Sequence, residues 1–107
     1  MWYIRLMKKL NSHYSRGVYE KTAELFKIMA NAKRLEILNL LKNQEMSVTD
    51  IAKAMGIRVA NVSQHLMALR YLKFVTRKGT GKSVTYKIAR PEILEPFIVF
   101  HKLIKKG

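Results

Sequence analysis

The chain has 107 residues, enough for one compact domain whose single core buries roughly 65% of the surface the unfolded chain exposes. Lysine and arginine number 21 against 7 acidic residues, a formal net charge of +14 that favours polyanionic partners such as nucleic acid or an anionic lipid surface. Cysteine is absent, which excludes disulfides, thiolate metal ligands, cysteine nucleophiles and thiol redox sensing.

In the first segment Trp2, Tyr3, Leu6, Met7, Leu10 and Tyr14 recur at helical spacing, with Arg5, Lys8 and Lys9 on the opposite side. Such a stripe is expected to pack on the domain or on a partner subunit; a helix lying on a membrane surface is the other reading. The same cations break the apolar run a secretory signal needs, and no window approaches the ~18 apolar residues of a membrane span, so a soluble cytoplasmic protein is expected. Gly17 is expected to interrupt the stripe, after which Val18, Leu25, Phe26 and Met29 form the next periodic set. Asn31 stands as the N-cap of a dense apolar helix carrying Leu35, Ile37, Leu38, Leu40 and Leu41, closed by Asn43, Gln44 and Glu45.

Ser47-Val48-Thr49-Asp50 has the pattern of a capping box, with the Ser hydroxyl accepting a first-turn N–H and Asp50 reaching back to the cap residue. Ile51, Ala52, Met55 and Ala54 are the candidates for the inner face of this short helix, and Gly56 is placed as its left-handed stop. After a brief turn, Val59, Val62, Leu66, Leu69 and Leu72 mark another helix whose outer face carries Asn61, Gln64, His65 and Arg70. Two short helices joined by a tight glycine turn form a helix-turn-helix. The second helix offers side chains of the types that read base edges and phosphates.

From Phe74 the period changes to two. Val75 and Arg77 precede the Gly79-Thr80-Gly81 turn, and Val84, Tyr86 and Ile88 alternate with Ser83, Thr85 and Lys87 after it, which predicts a β-hairpin with a basic tip. The tip contains GTGKS, the ending of a nucleotide-binding P-loop. A P-loop needs a glycine five positions earlier, where Thr76 stands, and a helix after the Ser, where a β-branched strand follows. The glycines therefore make a turn, and the lysines beside it reach phosphates.

Pro91 to Lys106 places Ile93, Leu94, Phe97, Ile98, Val99, Phe100, Leu103 and Ile104 in a short space. A helix this apolar around its circumference needs a second covering surface, and a second copy of the chain supplies one most simply. Pro91 fits the first helical position, but Pro96 falls too far inside, so either the first turn is irregular or the regular helix begins near Glu95.

These elements in this order give a mainly α fold with a small β-hairpin wing, a winged helix-turn-helix expected to span residues 1–107 as a single domain, with dimerisation helices at 1–17 and 91–107. Residues 25–88 resemble the ArsR family of bacterial and archaeal transcriptional repressors. The most specific parts are MANAKRLEILNLL, similar to the family's LADPTRLRILxLL, and NVSQHLMALR, similar to TVSHHLxxLR. The resemblance implies a homodimeric repressor on a palindromic operator in double-stranded DNA. It puts Asn61, Ser63, Gln64 and His65 at recognition-helix positions, Arg77, Lys78, Thr80, Lys82 and Ser83 in the wing, and Thr49 at a helix start that contacts phosphate. Arg58 and Arg70 complete the candidate DNA-binding set; Leu6, Leu10, Leu94, Phe97, Ile98, His101 and Ile104 form the candidate dimer interface.

The departures from the family pattern are informative. Ser47 and Thr49 occupy the positions of a Cys-x-Cys sensing motif, so cysteine-based metal or redox sensing is absent. Arg58 and Val59 replace the usual Ser-Gln at the recognition-helix start, so operator preference does not carry over from relatives. A second family site uses Asp, His and Glu on the last helix, where this chain has only Glu92, Glu95 and His101, with His13 near the other end. Zinc needs about four convergent ligands, so no metal and no cofactor are expected. Nor is an enzyme expected, since the chain has one Asp and no catalytic constellation. The competing readings for so basic a chain are a winged-helix RNA-binding protein and a protein-interaction module built on its apolar terminal helices.

Overall fold

A computed structural model describes Arg5, residues 13–81 and residues 83–106. The chain falls into two compact units, residues 1–30 and 31–107. The apolar stripe at Trp2, Tyr3, Leu6, Met7 and Leu10 and the wing residue Lys82 lie outside the described residues.

In the first unit, helix α1 (Arg16–Met29) starts after Ser15, whose carbonyl accepts from the N–H groups of Val18 and Tyr19. Gly17 does not interrupt the chain here. It sits inside the first helical turn, where a helix still lacks most of its own hydrogen bonds and glycine does little damage. The Tyr14 ring meets Tyr19 edge to face at 6.0 Å, and the Tyr19 hydroxyl accepts from the Tyr14 N–H at 3.1 Å. Val18, Tyr19 and Phe26 are exposed.

The second unit holds α2 (Ala32–Leu41), α3 (Val48–Met55), α4 (Val59–Tyr71), strands β1 (Val75–Lys78) and β2 (Thr85–Ile88), a 3-10 turn at Pro91–Leu94 and α5 (Glu95–Lys106). Asn31 caps α2 as expected, its side-chain oxygen accepting from the N–H groups of Lys33 and Arg34. Ser47 caps α3 through the Asp50 N–H at 3.1 Å. Only that half of the capping box forms, since the Asp50 carboxylate makes no hydrogen bond with another described residue. Gly56 ends α3 at φ 68°, and its N–H reaches the Ala52 carbonyl.

The core of this unit is Ile37, Leu38 and Leu41 from α2, Ile51 and Ala52 from α3, Val62, Leu66 and Leu69 from α4, with Phe74, Val75 and Tyr86 from the hairpin. No polar side chain is buried among the described residues. Ala54 and Val59, placed on inner faces by periodicity, are exposed; Val59 lies in the first turn of α4, beyond the reach of the core.

The hairpin pairs Val75 with Ile88, Thr76 with Lys87, Arg77 with Tyr86 and Lys78 with Thr85. Its turn depends on two glycines at positive φ, and a Cβ on Gly79 would collide with the Ser83 carbonyl. A pairing that periodicity could not reveal ties the hairpin to the helices. Met46 and Tyr86 exchange backbone hydrogen bonds of 3.1 and 2.8 Å, so β2 is flanked by β1 on one side and by the start of the helix-turn-helix on the other. The C-terminal segment resolves the proline problem through a 3-10 turn with Pro91 first, followed by a regular helix from Glu95 that keeps Pro96 in its opening turn.

α4 ends in a Schellman turn: the Phe74 N–H bonds the Leu69 carbonyl and the Lys73 N–H bonds that of Arg70. This forces Lys73 to φ 62°, the left-handed region that costs a residue with a Cβ about 1–2 kcal/mol. Lys73→Gly should therefore raise stability by about 1 kcal/mol, a melting-temperature gain of about 4 °C or more for a domain of this size. Gly79→Ala should lower the melting temperature, and differential scanning calorimetry of the pair should give shifts of opposite sign.

Candidate nucleic-acid interface

Burial of Val62, Leu66 and Leu69 turns the opposite face of α4 to solvent, and Asn61, Ser63, Gln64 and Arg70 are all exposed on it. Arg58 stands exposed at the N-cap of the helix, Thr49 is exposed in the first turn of α3, and Arg77, Lys78, Thr80 and Ser83 are exposed along the wing. From Lys53 to Arg90 the sequence has nine Lys or Arg and no Asp or Glu, so α4 and the wing themselves contribute only positive charge, with Glu45 beside Thr85 and Asp50 beside Thr49 at the margin. Two apolar side chains that the sequence reading did not assign share the outward face: Met67 and Tyr71, 65% and 72% exposed. Their helical spacing from Gln64 is the signal that identifies them.

His65 is placed differently from its neighbours. It is half-buried, and its Nδ1 accepts a hydrogen bond of 3.3 Å from Arg34 Nε on α2. An accepting Nδ1 puts the proton of the neutral ring on Nε2, which leaves that nitrogen as a donor. Burial, and then the positive charges of Arg34 and Lys33, push its pKa below the ordinary histidine value. Arg34 thus links α2 to α4 through a side-chain hydrogen bond. Its place inside the quoted family motif gave no sign of that link.

The wing is tied down at both ends. The Ala89 N–H bonds the Phe74 carbonyl at its base, and Thr85 donates to Glu45 at 3.4 Å beside the Met46 bridge. Of the candidate interface residues, Leu94 is half-buried, while Phe97, Ile98, His101 and Ile104 are exposed. The His101 ring stacks on Phe97, with centroids 6.1 Å apart and planes 4° from parallel. Among the described residues no three His, Asp or Glu side chains gather as metal ligands, and no helix is long and apolar enough to cross a membrane.

Protein comparisons agree with this geometry. Residues 31–77 match the profile described as bacterial regulatory protein, arsR family. The HTH-type transcriptional regulator Rv0081 of Mycobacterium tuberculosis is 33% identical over 93 residues, covering 86% of this chain and 82% of the relative. Its crystal structure superposes with a TM-score of 0.75, covering 93% of that chain. The transcriptional repressor PagR of Bacillus anthracis is 37% identical over 75 residues, 69% of this chain and 75% of PagR. The solution structure of the homodimeric winged helix-turn-helix DNA-binding domain of Mycobacterium bovis Mb0332 aligns at 28% identity with a TM-score of 0.73, over 90% of this chain and 91% of that one.

The lowered His65 pKa fixes the sign of a pH effect. Between the folded and unfolded pKa values the unfolded chain binds more protons, so the His65 contribution to stability is complete above the ordinary histidine pKa. It is lost as the pH falls through the lower, folded value. Urea midpoints should drop between about pH 7.5 and about pH 5, and drop less in His65→Phe, which cannot titrate.

Proposed function

The chain belongs to the arsR family of bacterial regulatory proteins, and on that premise we propose that this DNA-binding transcriptional regulator acts as a homodimeric repressor on a palindromic operator. The observation that carries the proposal is the two-sidedness of α4: one stripe is sealed in the core while Asn61, Ser63 and Gln64 face outward from a segment whose charged side chains are all basic. Two such helices enter successive major grooves about 34 Å apart. Asn61 and Gln64 read base edges, with Gln suited to adenine, while His65 offers its Nε2 proton. Thr49, Arg58, Arg70, Arg77, Lys78, Thr80, Lys82 and Ser83 contact phosphates or the minor groove.

In this reading residues 1–17 and 91–107 form the dimer interface, through Leu6, Leu10, Leu94, Phe97, Ile98, His101 and Ile104. The exposure of Phe97, Ile98 and Ile104 supports this, since a monomer would leave them in water. The single winged-helix domain then works in the cytoplasm, without a cofactor and without a metal, as fits the lack of a ligand cluster among the described residues. Repression follows from occupancy, because a dimer seated on a promoter excludes polymerase.

Genomic footprinting of bound sites tests the proposal, with a palindrome of two major-groove half-sites expected. On that operator Gln64→Ala should cost about 1–3 kcal/mol of discrimination at one base position. Arg77→Ala should weaken all sequences alike and lower the salt slope by about one. If six to ten phosphates are contacted, affinity should fall by about three to five decades between about 50 and 200 mM salt. A flat salt response, or footprints without symmetry, would contradict the proposal.

A further inference from the structure

Four cationic residues from consecutive elements line one open depression at the base of the wing. Arg70 from the last turn of α4, Lys73 from the Schellman turn, Arg77 from β1 and Arg90 from just beyond β2 line it with Thr76, around a volume of about 520 Å³. Nothing acidic lines it. The nearest acidic residue in sequence, Glu92, lies two positions beyond Arg90 and is not part of the wall. None of the four side chains makes a hydrogen bond or ion pair with another described residue. Like charges brought together without a counter-charge repel one another, and an anion seated among them reverses the sign of that interaction.

The backbone adds to the argument. Tyr86 spends its N–H and C=O on Met46, so Arg77 opposite it belongs to a non-hydrogen-bonded pair, and its own N–H turns outward at the free edge of β1. The left-handed Lys73 donates its N–H to the Arg70 carbonyl within the Schellman turn, which fixes the direction in which its Cα–Cβ bond leaves the chain. Guanidinium forks, carried by three of the lining residues, suit the several oxygens of a phosphate group better than a single carboxylate.

We propose that this depression is a phosphate-binding site, holding either a small oligophosphate or a backbone phosphate of a duplex lying along the wing. The site stands on its own residues and does not require that α4 read bases.

Amide NMR of the full chain, titrated with inorganic tripolyphosphate and separately with a short duplex of random sequence, tests it. Saturable shifts of one equivalent per protomer are expected at Arg70, Lys73, Thr76, Arg77 and Arg90. The R70Q/R90Q variant should keep its melting temperature and weaken tripolyphosphate by about tenfold or more. If the duplex displaces tripolyphosphate, the native occupant is a DNA phosphate; if both bind together, it is a free anion, and either result supports the site. Shifts spread over all basic residues without saturation would overturn the proposal, as would R70Q/R90Q binding as tightly as the parent. Should the double variant not fold, R77Q alone must weaken tripolyphosphate, and unchanged binding overturns the proposal. Q64A should leave tripolyphosphate binding unchanged, which separates failure of this site from failure of sequence reading.

Discussion

The orientation of α4 rests on three side chains. Val62, Leu66 and Leu69, at most 1% exposed, lock one stripe of the helix against α2 and α3, and full burial of each contributes about 1.5–3 kcal/mol. A helix fixed along one stripe has no freedom to roll, so its remaining residues are committed to solvent without further interaction. Asn61 and Gln64 face solvent because of what lies behind them. The half-buried contact between Arg34 and His65 sharpens the same constraint, since it holds one residue at the margin of the stripe by a directed hydrogen bond.

Electrostatics sets the second constraint. The absence of acidic residues between Asp50 and Glu92 leaves most cations in this segment without an internal partner, so the folded domain carries self-repulsion that a polyanion relieves. The cost is dispersed on the wing, where side chains diverge into water, and concentrated where α4 meets the hairpin. Lys73 illustrates the concentration, being a charged residue in a backbone position that glycine would occupy with less strain.

The helix-turn-helix was legible because its cues are local: Ser47 and Gly56 mark the ends of α3, and a regular apolar spacing marks the inner face of α4. The start of the regular last helix near Glu95 was one of two alternatives legible from two prolines five residues apart, while the 3-10 geometry before it was not. Periodicity failed at Val59 and Ala54 because it reports the face of a helix and not the extent of the core beneath it. The Met46 to Tyr86 bridge and the Arg34 to His65 hydrogen bond were hidden for another reason: each joins residues 30 or more positions apart, and nothing in either local sequence names the other. Lys73 escaped notice because left-handed stops are sought at glycine or asparagine.

The bridge between Met46 and Tyr86 has a mechanical meaning. Its paired amides rivet the strand leading to the wing tip onto the segment that enters α3, only a residue before the Ser47 cap. A load on the tip is therefore delivered to the scaffold at the point where the helix-turn-helix begins, which makes wing and helices one riveted plate instead of separately hinged arms.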